Sequence, residues 1–392
     1  MRYNMKILHV SVAGIVDKFY YPFLSMIKER GEFEQSIYIP YKKGEYTVNE
    51  LKIIDKYKKQ GINPIPLPIK KDWDRVFYRK KVHKYTRELI ETINIKDYQI
   101  VHAHSLFSDG GVAYLLHKKY AIPYIVAVRV TDIVIFIKYF PHLRAIGRKI
   151  LKNAEKIVFI SPSLKKDVVR YLYKNRYVKY IEEYGEVIPN GIDNFWLNNK
   201  ASSGKRIQEH SKLGIIQVSR LKKQKNIDKT IKSVYILRKK GLDITLDILG
   251  EGEERATLEE LVADLKLQKF VKFYGFVSDL HCIKEYYNKN DIFVMPSTGE
   301  TFGLTYIEAM SQGLPVIGVK DTGVSDFFEP NTVGCFIDRP EPEQIAEAIE
   351  KIVDNYNSMS SKCVNSVERF DWNRIINRYE KIYNESINDM EK

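Results

Sequence analysis

Cysteine is scarce in this chain. Cys282, Cys335 and Cys363 are the three present in 392 residues, an odd number at wide spacing with no CxxC pair. A disulfide framework or zinc knuckle is not expected, and a reducing cytosol suits such a chain. Long apolar runs are missing too: no stretch approaches the roughly 18 residues that span a bilayer. The opening Met1-Arg2-Tyr3-Asn4-Met5-Lys6 lacks an apolar leader core and a small-residue cleavage site, so no secretory leader is expected. Low-complexity segments and short-period repeats are absent. What remains is ordinary for a globular protein, 44% hydrophobic and 29% charged. A chain of 392 residues exceeds one core and fits two domains.

Acidic residues are short in one half alone. Residues 1–200 hold 36 Lys/Arg and 20 Asp/Glu, a net of +16, whereas residues 201–392 hold 27 and 30, a net of −3. A lysine-rich coding bias would raise both halves alike. The asymmetry points to a polyanionic partner for the first half, such as an acidic membrane surface or a phosphate-bearing acceptor.

Short β-branched runs alternate with amphipathic helical patterns. Strands are expected at residues 6–12, 36–40, 99–103, 124–128, 156–160 and 186–188, then at 214–218, 245–249, 271–274, 292–295, 316–319 and 335–337. Strands this apolar, separated by helix-length segments, predict buried parallel sheets built from βαβ units. Pro189-Asn190-Gly191-Ile192-Asp193 and the polar stretch 198–211 break the pattern as a domain junction does. The α/β chain therefore divides into an expected domain at 1–195 and another at 205–368. Residues 370–390 read as a tail helix carrying Trp372, Tyr379 and Tyr383. Ligands of doubly wound sheets sit at the carboxyl ends of the strands, and two such domains facing each other would enclose a cleft.

The densest chemistry lies in residues 291–317. Residues 292–295 read as a strand, 297–303 as a small polar loop and 304–312 as a helix, with Gly313 as its cap and Pro315 beyond. Free N–H groups at the start of such a helix form an anion site, and Gly303 lets a ligand come close to the backbone. Glu300 in the loop and Glu308 in the helix do not share a helical face. Carboxylates are poor phosphate contacts but good acceptors for sugar hydroxyls. A phosphate site with two of them suggests a phosphate ligand that also carries sugar hydroxyls.

Glu300 and Glu308, with Phe302-Gly303, Ala309 and Gly313-Leu314-Pro315-Val316, resemble the signature of family 4 glycosyltransferases (glycosyl transferases group 1) of the GT-B fold. That fold has two Rossmann-like doubly wound domains facing an interdomain cleft. The resemblance implies that Glu308 holds the donor ribose and that Glu300 lies near the transferred sugar. The loop and helix start between them, Phe302, Gly303, Leu304 and Thr305, receive the diphosphate. Val218-Ser219-Arg220-Leu221 and then Lys225-Asn226 follow an expected strand. Arg220 binds oxygens as a fork and Lys225 as a point charge. The family has such a pair for the diphosphate, usually with glycine where this chain has Asn226. Gly250-Glu251-Gly252 resembles a structural turn of the family, and Tyr274-Gly275-Phe276-Val277 its base-side segment.

The first half matches less well. Gly14 stands where the family usually has a glycine pair beside the donor phosphate. Val101-His102-Ala103-His104 ends a strand, so both histidines can face one side. No further ligands stand at a telling spacing, and no metal site is expected. The resemblance puts a histidine near the transferred sugar, with His104 the better match; a packed strand-end histidine is the other reading. From Arg129-Val130-Thr131-Asp132 only Thr131-Asp132 carries over, and from Thr322-Gly323-Val324-Ser325-Asp326 only Asp326. Residues 70–81 and 138–149 interleave cations with aromatics. Each fits either interfacial membrane docking or a solvated helix face.

The resemblance implies a metal-independent, retaining transfer. The donor is a UDP- or GDP-linked nucleotide sugar used as substrate, and no cofactor is involved. Glu300, His104, Arg220 and Lys225 are the candidate catalytic residues. The first domain, with the tail helix 370–392 packed back on it, would bind a glycan or lipid-linked acceptor, and an anionic membrane surface at the inner face is a further expected contact. A nucleotide-sugar epimerase, a phosphorylase and a non-catalytic partner subunit are the competing expectations. No RNA- or DNA-binding motif is present, so nucleic acid is not an expected partner.

Overall fold

The computed structural model describes residues 5–12, 20–44, 48–173, 178–207, 212–300 and 302–388. Gly14 lies outside the described residues. The chain divides into two compact units, one of Met1–Gly191 with Trp372–Lys392, the other of Ile192–Asp371.

In the first unit the β-branched runs become buried parallel strands. They are β1 (Met5–Val10), β2 (Phe33–Pro40), β3 (Asn63–Leu67), β4 (Ile100–Ala103), β5 (Tyr124–Val128), β6 (Lys156–Phe159) and β7 (Gly185–Val187). Their order is β3-β2-β1-β4-β5-β6-β7. Strand β3 was not among the expected strands. Its sequence, Asn-Pro-Ile-Pro-Leu, holds two residues that cannot donate to a ladder, and it lies at the sheet edge, where prolines are tolerated.

The second unit holds β8 (Leu213–Val218), β9 (Ile244–Leu249), β10 (Val271–Phe273), β11 (Ile292–Val294), β12 (Val316–Val319) and β13 (Gly334–Ile337). The order is β10-β9-β8-β11-β12-β13, and the pairs are parallel. Both units are thus doubly wound α/β sheets. The strand order reverses between β1 and β4 in one and between β8 and β11 in the other, and ligands of such sheets gather beyond the carboxyl ends of those strands. Ile215, Ile248, Ile292, Val294 and Ile317 fill the second core, together with Ile231, Val234, Ile345 and Ile349 from covering helices. Each such burial contributes about 1.5–3 kcal/mol.

The tail helix Trp372–Asn388 belongs to the first unit. Trp372, Ile375, Ile376, Tyr379, Ile382 and Tyr383 recur at helical spacing and are all buried in that core. A Cβ on Gly191 would meet the Trp372 indole at 2.4 Å, so only glycine fits beneath it. On the outside, the Arg30 guanidinium donates to Glu380 Oε2 at 2.6 Å and to the Asn373 carbonyl at 3.1 Å. Among the described residues, no helix is long and apolar enough to cross a membrane.

Candidate functional site

Arg220 lies two residues beyond β8, on a loop that rests on the Gly250–Gly252 turn at the end of β9. Gly250 has φ +140°, and a Cβ there would stand 1.8 Å from the Ser219 carbonyl oxygen. A Cβ on Gly252 would stand 2.3 Å from the Leu221 carbonyl oxygen. Two backbone bonds fasten the contact: Leu221 N–H donates to the Glu251 carbonyl at 3.0 Å, and Glu254 N–H to the Leu221 carbonyl at 3.1 Å. Leu221 is buried as the anchor, and Arg220 is left exposed at the strand end. The glycine turn is a bed for the cationic loop.

The chain then makes a short turn, Lys223–Lys225, and Asn226 takes φ +51° before the helix Ile227–Lys239. This left-handed conformation explains the departure from the family pattern. Glycine adopts it freely, and asparagine is the next most tolerant residue. Asn226 Nδ2 also donates to the Pro296 carbonyl at 2.6 Å, a bond glycine lacks.

That bond is one of several that tie this turn to the loop after β11. Thr298 N–H donates to the Gln224 carbonyl at 2.9 Å, and Lys225 Nζ meets Glu300 Oε2 at 2.5 Å with both side chains mostly buried. Lys225 and Glu300, 75 residues apart, were expected to serve the diphosphate and the sugar separately. The structure brings them together, so each fixes the position of the other.

Gly303, φ +85°, caps the helix Leu304–Ser311. A Cβ there would meet the Tyr306 ring at 2.5 Å. Tyr306 lies beneath the turn, its hydroxyl donating to the Met295 carbonyl. Phe302 is buried, and its carbonyl accepts from Val324 N–H at 2.9 Å across the tight Gly323 turn. Leu304, Thr305 and Glu308 are half-buried on the same helix. The first N–H groups of a helix have no partner within it. Arg220, the Lys225–Glu300 pair and this helix start therefore all belong to loops leaving β8 and β11, the strands that flank the reversal.

In the first unit the equivalent strands are β1 and β4, and three histidines stand on them or just beyond. His9 is the register partner of His102, and His104 follows β4 directly. All three are fully buried. His9 Nδ1 and His104 Nε2 lie 3.1 Å apart, His102 Nδ1 lies 2.7 Å from the Tyr383 hydroxyl, and the His104 ring meets the edge of Tyr20. His102 and His104 do face one side, their ring centroids 4.0 Å apart. His9 was missed from the sequence, because nothing in the linear chain says that β1 pairs with β4. The ring nitrogens lie within 4.8 Å of one another, the one such grouping among the described residues. A dication there would meet three neutral ligands, no carboxylate from the cluster and the repulsion of Arg129, whose Nε donates to the His104 carbonyl at 3.0 Å.

Two carboxylates brace the same strand ends. Asp132 accepts from Leu106 N–H at 3.0 Å, Phe107 N–H at 3.3 Å and Arg129 N–H at 2.9 Å. Asp109 accepts from Val12 N–H at 2.7 Å. Thr131-Asp132, carried over from the resemblance, thus falls where its carboxylate holds backbone together.

Burial sets the titration of this unit. It pushes His9 down to about 3 from its ordinary 6.5, and His102 and His104 well below theirs. Below pH 6.5 the unfolded chain takes up protons that the folded histidines refuse, so stability falls as the solution is acidified. Asp109 opposes this. Burial raises Asp132 to about 6, which acts in the same direction, and raises the Asp109 carboxyl to about 7 from 3.8, so the folded state keeps a proton in that window that the unfolded state has lost. Its contribution grows as pH drops from 7 toward 4. Melting of the first unit is expected to fall from pH 7 to pH 5, and more steeply in Asp109→Asn. Parallel profiles for the two proteins would remove Asp109 from the account.

Residues 200–369, nearly the whole second unit, match the family model described as Glycosyl transferases group 1. A peptide N-acetylglucosaminyltransferase GtfA subunit of Streptococcus pneumoniae is 24% identical over 272 residues, 67% of this chain and 50% of that relative. The chain spans half or less of the length of the streptococcal relatives it matches. An uncharacterised glycosyltransferase of Methanocaldococcus jannaschii is 24% identical over 368 residues, 89% of this chain and 97% of the relative. Among solved structures, Anabaena HepE in complex with UDP and glucose superposes with a TM-score of 0.66 at 17% identity, covering 96% of this chain and 99% of that one. At that identity the likeness establishes the two-Rossmann GT-B fold.

Proposed function

We propose that this chain, whose second unit belongs to the glycosyl transferases group 1 family, transfers a sugar from a nucleotide-sugar donor to a glycan or lipid-linked acceptor. One observation carries the proposal: Arg220, the Lys225–Glu300 pair and the Gly303-capped helix start occupy neighbouring loops beyond β8 and β11. Those groups suit a ligand with both phosphate and hydroxyl chemistry. Arg220 and Lys225 take the diphosphate, with Phe302, Gly303, Leu304 and Thr305 lining its approach to the helix. Glu308 accepts from ribose hydroxyls, and Glu300, steadied by Lys225, lies toward the transferred sugar.

Charge grows on the donor phosphate as the sugar leaves, and fixed cations act most strongly there. The helix start supplies about 0.3–2 kcal/mol, and charged hydrogen bonds roughly 1.5–3 kcal/mol each, so the cations carry the larger share. No divalent ion is required for that charge balance. Transfer proceeds with retention, the acceptor attacking on the face from which the phosphate departs. His104 enters as a positioning residue: fully buried, it supports through its carbonyl the half-buried Arg129.

A panel of UDP- and GDP-sugars, with product detection against glycan and lipid-linked acceptors, tests the proposal. One donor consumed with transfer to acceptor supports it. Epimerised donor without transfer points to the epimerase alternative, and no consumption of any donor sinks the transferase assignment.

A further inference from the structure

Nine large apolar side chains are exposed among the described residues, and six of them lie on two segments of the first unit. Trp73, Val76 and Phe77 belong to the turn Asp72–Arg75 and the approach to the helix Tyr78–Thr92. Val134, Ile135 and Tyr139 belong to the π-helix Asp132–Ile137 and the residues just after it. Exposure reaches 66% at Trp73, 71% at Val76 and 74% at Tyr139. Solvent-facing apolar residues are normal singly, but such grouping is not.

A common aromatic base joins the two segments. The Tyr78 and Phe136 rings meet edge-on at 6.5 Å, Phe136 stacks on Phe107 at 4.9 Å, and Lys81 Nζ lies 5.8 Å from both Tyr78 and Phe136. The exposed side chains on either side are therefore neighbours on one rigid footing. On the same segments stand Lys71, Arg79, Lys80 and Lys138, all exposed. Of the acids in the same segments, Asp74 and Asp132 are withdrawn from solvent, and Asp72, still exposed, is balanced by a lysine. Asp72 pairs with Lys42 at 2.8 Å, Asp74 with Lys84 at 2.8 Å, and Asp132 is buried against backbone N–H groups. What the surface presents is apolar and aromatic with a positive rim.

We propose that this surface docks the chain onto an anionic lipid bilayer. Trp and Tyr seat at the headgroup level, the aliphatic chains enter the acyl boundary, and the lysines and arginines meet the negative surface. Charge selects this occupant over a second copy of the chain, because a two-fold contact would set the positive rim against itself. The docking bears on the proposed function by bringing the enzyme to lipid-linked acceptors, but binding to lipid does not depend on the donor site.

Trp73 makes the test direct, because the other two tryptophans, Trp196 and Trp372, are buried at 0% and 2% exposure. The full chain is mixed with vesicles of phosphatidylglycerol and phosphatidylcholine, or of phosphatidylcholine alone. Cosedimentation and a blue shift of emission are expected with the anionic vesicles, weakening as salt rises. The double variant V76E/F77E keeps the fluorophore and is expected to lower the partition coefficient by about tenfold or more. K362E, which changes the net charge equally at an exposed residue of the second unit, leaves it unchanged. No cosedimentation, equal partition of wild type and V76E/F77E, or a concentration-dependent dimer that V76E/F77E dissolves without a change in lipid binding overturns the proposal. Titration of the same samples with UDP keeps the two claims separate: lost lipid binding with UDP binding intact bears on the docking surface alone.

Discussion

Arg220→Ala is expected to lower sugar-transfer turnover by about 10²–10³-fold, the scale of removing one preorganised charge-stabilising donor. Lys222→Ala, two residues along, should leave turnover within about twofold, as for a surface substitution outside the site. The two cations share a loop and a lysine-rich neighbourhood, so composition does not separate them. Their places do. Arg220 is exposed at the carboxyl end of β8, on backbone pinned to the Gly250–Gly252 turn. Lys222 begins the next short turn, its N–H turned back to the Arg220 carbonyl at 2.9 Å. A guanidinium carried on fixed backbone at a strand end can meet a departing diphosphate with two donors at once. Initial rates of transfer for the two variants, at saturating and limiting donor, measure the difference. Equal losses would mean that the loop acts through bulk charge, and the assignment of Arg220 would fail.

Gly250→Ala should cost the second unit about 3–5 kcal/mol and abolish donor binding. Two penalties combine. Alanine is strained at φ +140°, and its Cβ would lie 1.8 Å from the Ser219 carbonyl oxygen, so the loop carrying Arg220 must move. Gly241→Ala is the control. Its φ of +93° is also strained, but nothing lies within 4 Å of the added Cβ, so the loss should be about 1 kcal/mol. Denaturant unfolding of both variants, with nucleotide binding measured in parallel, separates backbone strain from displacement of the loop. Equal destabilisation by the two substitutions would show that the Gly250 contact carries no special cost.

The sheets were legible because buried parallel strands are written as continuous apolar runs rich in β-branched residues, as in Tyr124–Val128. Strand β3 was not, since Pro64 and Pro66 argue against a strand anywhere but an edge. In the candidate site, Gly250 and Gly252 were legible as a structural turn, and the Ser219 and Leu221 carbonyls lie against them; Gly303 was read as room for a ligand, and what lies against it is the Tyr306 ring. Pairings between distant segments were beyond a linear reading. Lys225 and Glu300 meet because β8 and β11 are adjacent in the sheet, and His9 joins His102 because β1 and β4 are. His104 illustrates the same limit from the other side: its spacing identified a candidate, but only the fold revealed that its ring is packed among His9, His102 and Tyr20. Asn226 departs from the family's glycine in identity but takes a left-handed backbone that glycine also suits, which only φ discloses.

The central claim is that the second unit grips a nucleotide through its diphosphate, and calorimetric titration with UDP and UMP, and with GDP and GMP, tests it most directly. For one of the two bases the diphosphate should bind at least about tenfold more tightly than the monophosphate, the worth of one charged hydrogen bond. In Arg220→Ala that preference should largely vanish while monophosphate affinity persists. Equal affinity of wild type for both members of each pair, or a preference untouched by the substitution, would contradict the account.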